Sequence, residues 1–166
     1  GSGVDTGAEN SGYDITVTAT DAVHGIAGLT LYAGLASIDQ EVESAGVDGD
    51  EEEETWAITY AAGNFTVGYQ WSDQDLGTST AEQAYENEGF GITFNVNDDL
   101  SIGYNHYEST QDNATDVEAE VESIQIAYSV GGASIRLAEA QASNMKYNTN
   151  AMYDRDATTL SVSLAF

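Results

Sequence analysis

The chain has 166 residues, 29 acidic against three basic, and a formal net charge of −26. That balance excludes nucleic acid, whose phosphates need Lys and Arg to replace their counterions, and docking onto an anionic membrane surface. A hydrophobic fraction of 41% with 10% aromatics excludes a disordered polyanion, and the lack of cysteine excludes disulfides, thiol chemistry and Cys-ligated zinc.

The opening GSGVDTGAENSG has neither the basic start nor the apolar core of a secretory signal. No apolar run reaches the ~18 residues of a membrane-spanning helix. The longest, IAGLTLYAGLASI, is short and broken by Gly and Ser. A membrane location would therefore require a barrel.

Period-2 alternation recurs along the whole chain and predicts nine strands. In chain order their apolar faces are Tyr13, Ile15, Val17, Ala19; Leu29, Leu31, Ala33, Leu35; Trp56, Ile58, Tyr60; and Phe65, Val67, Tyr69, Trp71. Then come Phe90, Ile92, Phe94, Val96; Leu100, Ile102, Tyr104; Ile124, Ile126, Tyr128, Val130; Ile135, Leu137; and Leu160, Val162, Leu164, Phe166. The opposite faces are polar or small. Their candidate pore-lining positions are Thr66, Gln70, Thr93, Asn95, Ser101, Asn105, Ser123, Gln125, Ser134, Arg136, Ser161 and Ser163. A two-sheet sandwich also alternates, so alternation establishes β structure without choosing between a packed core and lipid.

The connections discriminate better. Short links at 21–25, 62–64, 97–99 and 131–132 alternate with long polar ones at about 39–55, 72–87, 108–119 and 141–156. Outer-membrane barrels have this asymmetry, with tight periplasmic turns and long external loops. Tyr13, Trp56, Tyr69, Trp71, Tyr104 and Phe166 lie near strand ends, where a membrane–water boundary favours rings with a polar tip. If the short turns are periplasmic, the last strand ends there at Phe166, and an odd count of nine starts the first strand outside. The expectation is an all-β, antiparallel up-and-down transmembrane barrel segment over 1–166. Residues 1–11 are then the remnant of an external loop, 12–166 are strands and loops, and the parent has about 16 strands.

The ending ATTLSVSLAF, with Leu160, Val162, Leu164 and terminal Phe166, resembles the last strand of Gram-negative outer-membrane proteins. The stretches EGFGITFNVNDDLSIGYNHYES and VESIQIAYSVGGASIRLAEA resemble hairpins of alphaproteobacterial general-diffusion porins, in their C-terminal half. The resemblance covers most of 56–166. It implies a bacterial outer-membrane homotrimer of 16-stranded barrels that passes ions and small hydrophilic solutes passively. It also implies a C-terminal strand read by the barrel-assembly machinery. Such pores are narrowed by an inward-folded loop that usually belongs to the N-terminal half, so no constriction residue carries over.

Candidate chemistry is sparse. The acidic run at 46–54 offers Asp48, Asp50, Glu51 and Glu53 as calcium ligands, but its spacing is not that of an EF-hand loop, and a solvated external loop explains it better. His24 and His106 each lack a second histidine at ligand spacing, so neither marks a metal site from the sequence. No GxSxG elbow or supported carboxylate pair is present, and no enzyme or cofactor is expected. Arg136 is the one basic residue on a lumen-facing strand position, either as part of a basic wall or paired with a carboxylate. The acidic excess points to a cation-preferring channel. Two alternatives stay open: a small complete outer-membrane barrel with a structural or adhesive role, and a secreted acidic β-sandwich adhesin binding calcium.

Overall fold

Strict alternation leaves each segment with one greasy and one polar side, and β-branched and aromatic residues favour the extended backbone. A computed structural model describes residues 11–40, 49–78, 84–112 and 117–165. It contains nine strands: β1 (Gly12–Ala19), β2 (Leu29–Ile38), β3 (Glu51–Ala62), β4 (Phe65–Asp75), β5 (Ala84–Asn95), β6 (Leu100–Gln111), β7 (Glu118–Val130), β8 (Ala133–Ser143) and β9 (Arg155–Leu164). They form one antiparallel sheet in chain order, β1 to β9, each strand paired with its sequence neighbours. Among the described residues β1 and β9 each have a single neighbour. No helix among the described residues is long and apolar enough to cross a membrane.

The register puts the apolar residues of all nine strands on one side. A continuous row runs Ala62, Phe65, Phe94, Ile102, Ile126, Leu137, Leu160 across β3 to β9. This row also measures the slope of the strands. Leu160 is the apolar residue of β9 nearest the long-loop end, yet its row reaches β3 at Ala62, below Trp56 in the same band. The band therefore shifts by about one residue per strand, and at ~3.3 Å per residue against ~4.8 Å between strands this is a slope of roughly 35°. Transmembrane barrels tilt their strands by about 35–45°.

The described residues hold no packed core to which this side could belong. Among the described residues the buried hydrophobic set is Ala119 alone, while Ile15, Leu35, Trp56, Phe65, Ile126 and Leu160 are exposed. A sandwich needs two such sides interdigitated. One sheet with its apolar face uncovered rules out the sandwich alternative.

Two boundaries differ from the sequence reading. The link at 21–25 contains a one-turn helix, α1 (Asp21–His24), closed by Gly25 in the left-handed region. The long connections are also shorter than their polarity suggested, because strands continue beyond the apolar band. Glu51–Glu54 belong to β3 and pair with β2, and Glu52–Glu54 also pair with β4, so this half of the acidic run is strand, not loop. Ladder hydrogen bonding, which hydropathy does not report, sets where a strand ends. Residues 1–10, Asp48 and Phe166 lie outside the described residues.

Gly28 fixes the entry to β2. Its φ is +79°, its carbonyl accepts from the Ala61 amide at 2.9 Å, and a Cβ there would sit 2.1 Å from the Ala61 oxygen. Gly25 has φ +77° with open space around it. Gly25→Ala is expected to cost only the left-handed penalty of about 1–2 kcal/mol. Gly28→Ala should cost measurably more, read as a lower denaturant midpoint for the folded protein in detergent.

Candidate functional site

The second face of the sheet is polar. Through the register, Thr66, Gln70, Thr93, Asn95, Ser101, Asn105, Ser123, Gln125, Ser134, Arg136, Ser161 and Ser163 all fall on the side opposite the apolar band. Several are bonded to one another across strands. Ser123 Oγ donates to Asn105 Oδ1 at 2.6 Å, and Ser129 Oγ to Ser134 Oγ at 3.0 Å. Arg136 lies between Ala127 and Ser161, is exposed, and makes no salt bridge among the described residues.

At the long-loop end this face carries a denser network. Asn87 Oδ1 accepts from Tyr107 Oη at 2.8 Å and from Ser109 Oγ at 2.6 Å, and Gln111 Nε2 donates to Tyr85 Oη at 2.7 Å. Gln74 Nε2 donates to Glu51 Oε1 at 2.7 Å and Glu53 Oε1 at 3.0 Å. Those two calcium candidates thus share one face and hold an amide, while Asp50 accepts the Gln40 amide at 3.2 Å. Glu52 and Glu54 point to the other face, so the acidic run divides between two sides.

The connection from β8 to β9 folds over this network. Tyr147 Oη lies 2.8 Å from Ser109 Oγ, and its ring is 5.6 Å from that of Tyr85. Met145, Lys146 and Tyr147 thereby wall a recess whose floor is Gln74, Tyr85, Asn87, Tyr107, Ser109, Ala119 and Val121. Asn144, Lys146 and Tyr147 have φ of 52°, 60° and 53°. Non-glycine residues there cost about 1–2 kcal/mol each, so the turn needs its contacts. Asn144 supplies two, its amide donating to Asp154 Oδ1 at 3.1 Å and its Nδ2 to the Glu118 carbonyl at 3.0 Å. A short 3₁₀ turn, Ala151–Tyr153, capped by Asn150, returns the chain to β9. Nothing in the hydropathy pattern marks this inward turn. The run of non-glycine left-handed residues is visible only in the backbone.

On the apolar face the same end of the sheet is acidic. Trp56 stacks near Tyr69 and Trp71, at 5.2 and 6.4 Å between ring centres, and beyond these rings the alternation continues in carboxylates. Glu88, Glu108 and Glu120 are direct cross-strand neighbours, as are His106 and Glu122. His106 Nε2 is 2.6 Å from Glu108 Oε1, and its Nδ1 is 3.6 Å from Glu120 Oε1 and 3.5 Å from Glu122 Oε1. Tyr104 Oη donates to Glu122 Oε1 at 2.7 Å. Spacing along the chain does not reveal this group, since two of its members come from the next strand. Antiparallel register with alternating glutamates on β7 is the signal that would have found it. His24, by contrast, stays in α1, where its Nδ1 accepts the Ile26 amide at 3.2 Å.

Three solved structures resemble this arrangement. A porin refined at 1.8 Å resolution superposes with a TM-score of 0.65 at 18% identity, covering 93% of this chain and 51% of that one. OmpF of Salmonella typhi gives 0.62 at 11% identity, with 92% and 50% covered. OmpT, an outer membrane protein of Vibrio cholerae, gives 0.57 at 13%, with 95% and 52% covered. The fold is that of half a porin barrel. The chain spans about half the length of these porin-fold structures. No protein-family model and no curated relative matches the sequence.

The porin fold gives the β8–β9 turn a checkable consequence. The chain has three basic residues, Arg136 and Arg155 in strands and Lys146 in this turn. Tyr85→Ala removes the ring beneath Tyr147 without touching the cleavage site. Trypsin is expected to cut after Lys146 several-fold faster in this variant than in the parent protein, as followed by mass spectrometry. Equal rates would show that the ring contact does not hold the turn.

Proposed function

We propose that this chain forms the wall of a water-filled channel in a bacterial outer membrane, passing ions and small hydrophilic solutes passively and catalysing no reaction. The observation that carries this reading is the division of one nine-stranded sheet into an uncovered apolar side and a hydrogen-bonded polar side, with no packed interior among the described residues. Side chains of Thr, Ser, Asn and Gln line the water, and the aliphatic band meets acyl chains. Between neighbouring strands the ladders satisfy the backbone where no water can. Trp56, Tyr69 and Trp71 sit at the edge of the band, where amphipathic rings favour the headgroup level.

The parent would be a barrel of about 16 strands, assembled as a homotrimer as the family resemblance implies. Leu160, Val162 and Leu164 stand 67%, 61% and 57% exposed on the edge strand β9, which suits a strand that the barrel-assembly machinery would read together with Phe166. The turn at 144–147 narrows the water-filled side from the external end. Gln74 in the floor beneath it holds Glu51 and Glu53 on the polar face, and the chain as a whole carries −26. A field of that sign raises the local concentration of cations.

The test is conductance of the membrane-purified protein in a planar bilayer. Stepwise ohmic conductance is expected, with a reversal potential under a KCl gradient of the sign for potassium preference. Absence of any conductance would remove the channel reading. A reversal potential favouring chloride would leave the channel and remove the cation preference.

A further inference from the structure

We propose that His106, Glu120 and Glu122 form a site for a divalent transition-metal ion of the zinc class, with Glu108 as its supporting residue. The site lies on the apolar side of the sheet at its long-loop end, just beyond Tyr104, and is separate from the polar face argued above to line the channel.

The geometry of one imidazole carries the argument. Nε2 is engaged by Glu108 at 2.6 Å. A carboxylate can only accept, so Nε2 carries a proton, and Nδ1, which faces β7, is the nitrogen open to a metal ion in the neutral ring. That nitrogen is fully shielded from solvent and has no hydrogen-bond partner. It faces Glu120 and Glu122 at 3.6 and 3.5 Å, beyond the ~2.7–2.9 Å of a charged N–H···O pair. Two ligands about 2.05 Å from a tetrahedral zinc ion lie about 3.4 Å apart. The observed separations match the edge of a coordination polyhedron better than a hydrogen bond. The three ligand atoms all lie within 4.8 Å of one another.

The surroundings complete the pattern. A metal-bound histidine characteristically donates its other N–H to a carboxylate, and a ligating carboxylate is itself hydrogen-bonded. Glu108 takes the first role, and Tyr104, donating to Glu122 at 2.7 Å, supplies the second. Without a cation the cluster is internally repulsive, because Glu88 and Glu108, and Glu108 and Glu120, face one another directly across strands. Imidazole with two carboxylates suits zinc and its neighbours rather than calcium, which takes six to eight oxygen ligands. The ion would clip β6 to β7 where the apolar band gives way to carboxylates.

The experiment is calorimetric titration of the EDTA-stripped full chain, folded in detergent, with Zn²⁺, and with Co²⁺ as a spectroscopic substitute. One saturable site per chain is expected, with intense visible cobalt bands characteristic of four-coordination. His106→Gln should weaken zinc binding at least tenfold and abolish those bands, and Glu108→Gln should weaken it by about 10–100-fold. Equal zinc affinity in His106→Gln, no saturable site, or only the faint spectrum of octahedral cobalt would overturn the proposal. Should His106→Gln fail to fold by circular dichroism, nitrogen chemical shifts of His106 in the parent protein decide. A zinc-dependent shift at Nδ1 supports the site, and no shift overturns it.

Discussion

Backbone hydrogen bonding without a hydrophobic core is the constraint on which this structure depends. Each strand pairs with its chain neighbours over eight to eleven residue positions, and almost nothing apolar is buried by doing so. In water such a sheet would leave its main driving force unused, since burial of apolar area is the dominant favourable term in folding. In the membrane setting proposed above, acyl chains supply the missing half of the interaction. On the proposed reading they cover the band that runs obliquely from Trp56 to Leu160, and between neighbouring strands the ladders pair the backbone.

The same constraint explains where charge is allowed. Within the band the outward positions are aliphatic and aromatic residues, and beyond Trp71, Phe90 and Tyr104 they become Asp, Glu and His. The change follows the slope of the strands, so one ladder row passes from Trp56 and Trp71 to Glu88, Glu108 and Glu120. Carboxylates in direct cross-strand register are unfavourable neighbours. Their concentration around His106 is what makes a bound cation a physical expectation. On the opposite face the turn at 144–147 is held in a costly backbone conformation by Tyr147 against Tyr85 and Ser109. Both features sit at the end where strands outrun the band.

Much of this was legible in the sequence. A period of two is an unambiguous signal, and all nine strands and the facing of residues such as Gln125 against Ile126 follow from it. Strand ends were not legible, because Glu51–Glu54 read as a solvated loop by charge and yet sit in the ladder. Nor were the two arrangements that depend on distant pairing. The contact between Tyr147 and Ser109 spans 38 residues, and the His106 cluster needs the β6–β7 register, which alternation along one strand does not specify. Local pattern determines which side a residue faces; only the register determines its neighbours.

The central claim is that the uncovered apolar side contacts lipid. The chain's two tryptophans, Trp56 and Trp71, are intrinsic probes at the edge of that side. In vesicles whose lipids carry bromine at a series of acyl depths, their fluorescence should be quenched most strongly by the shallowest bromines. Emission insensitive to bromine at every depth, from protein shown to be folded in those vesicles, would contradict the account.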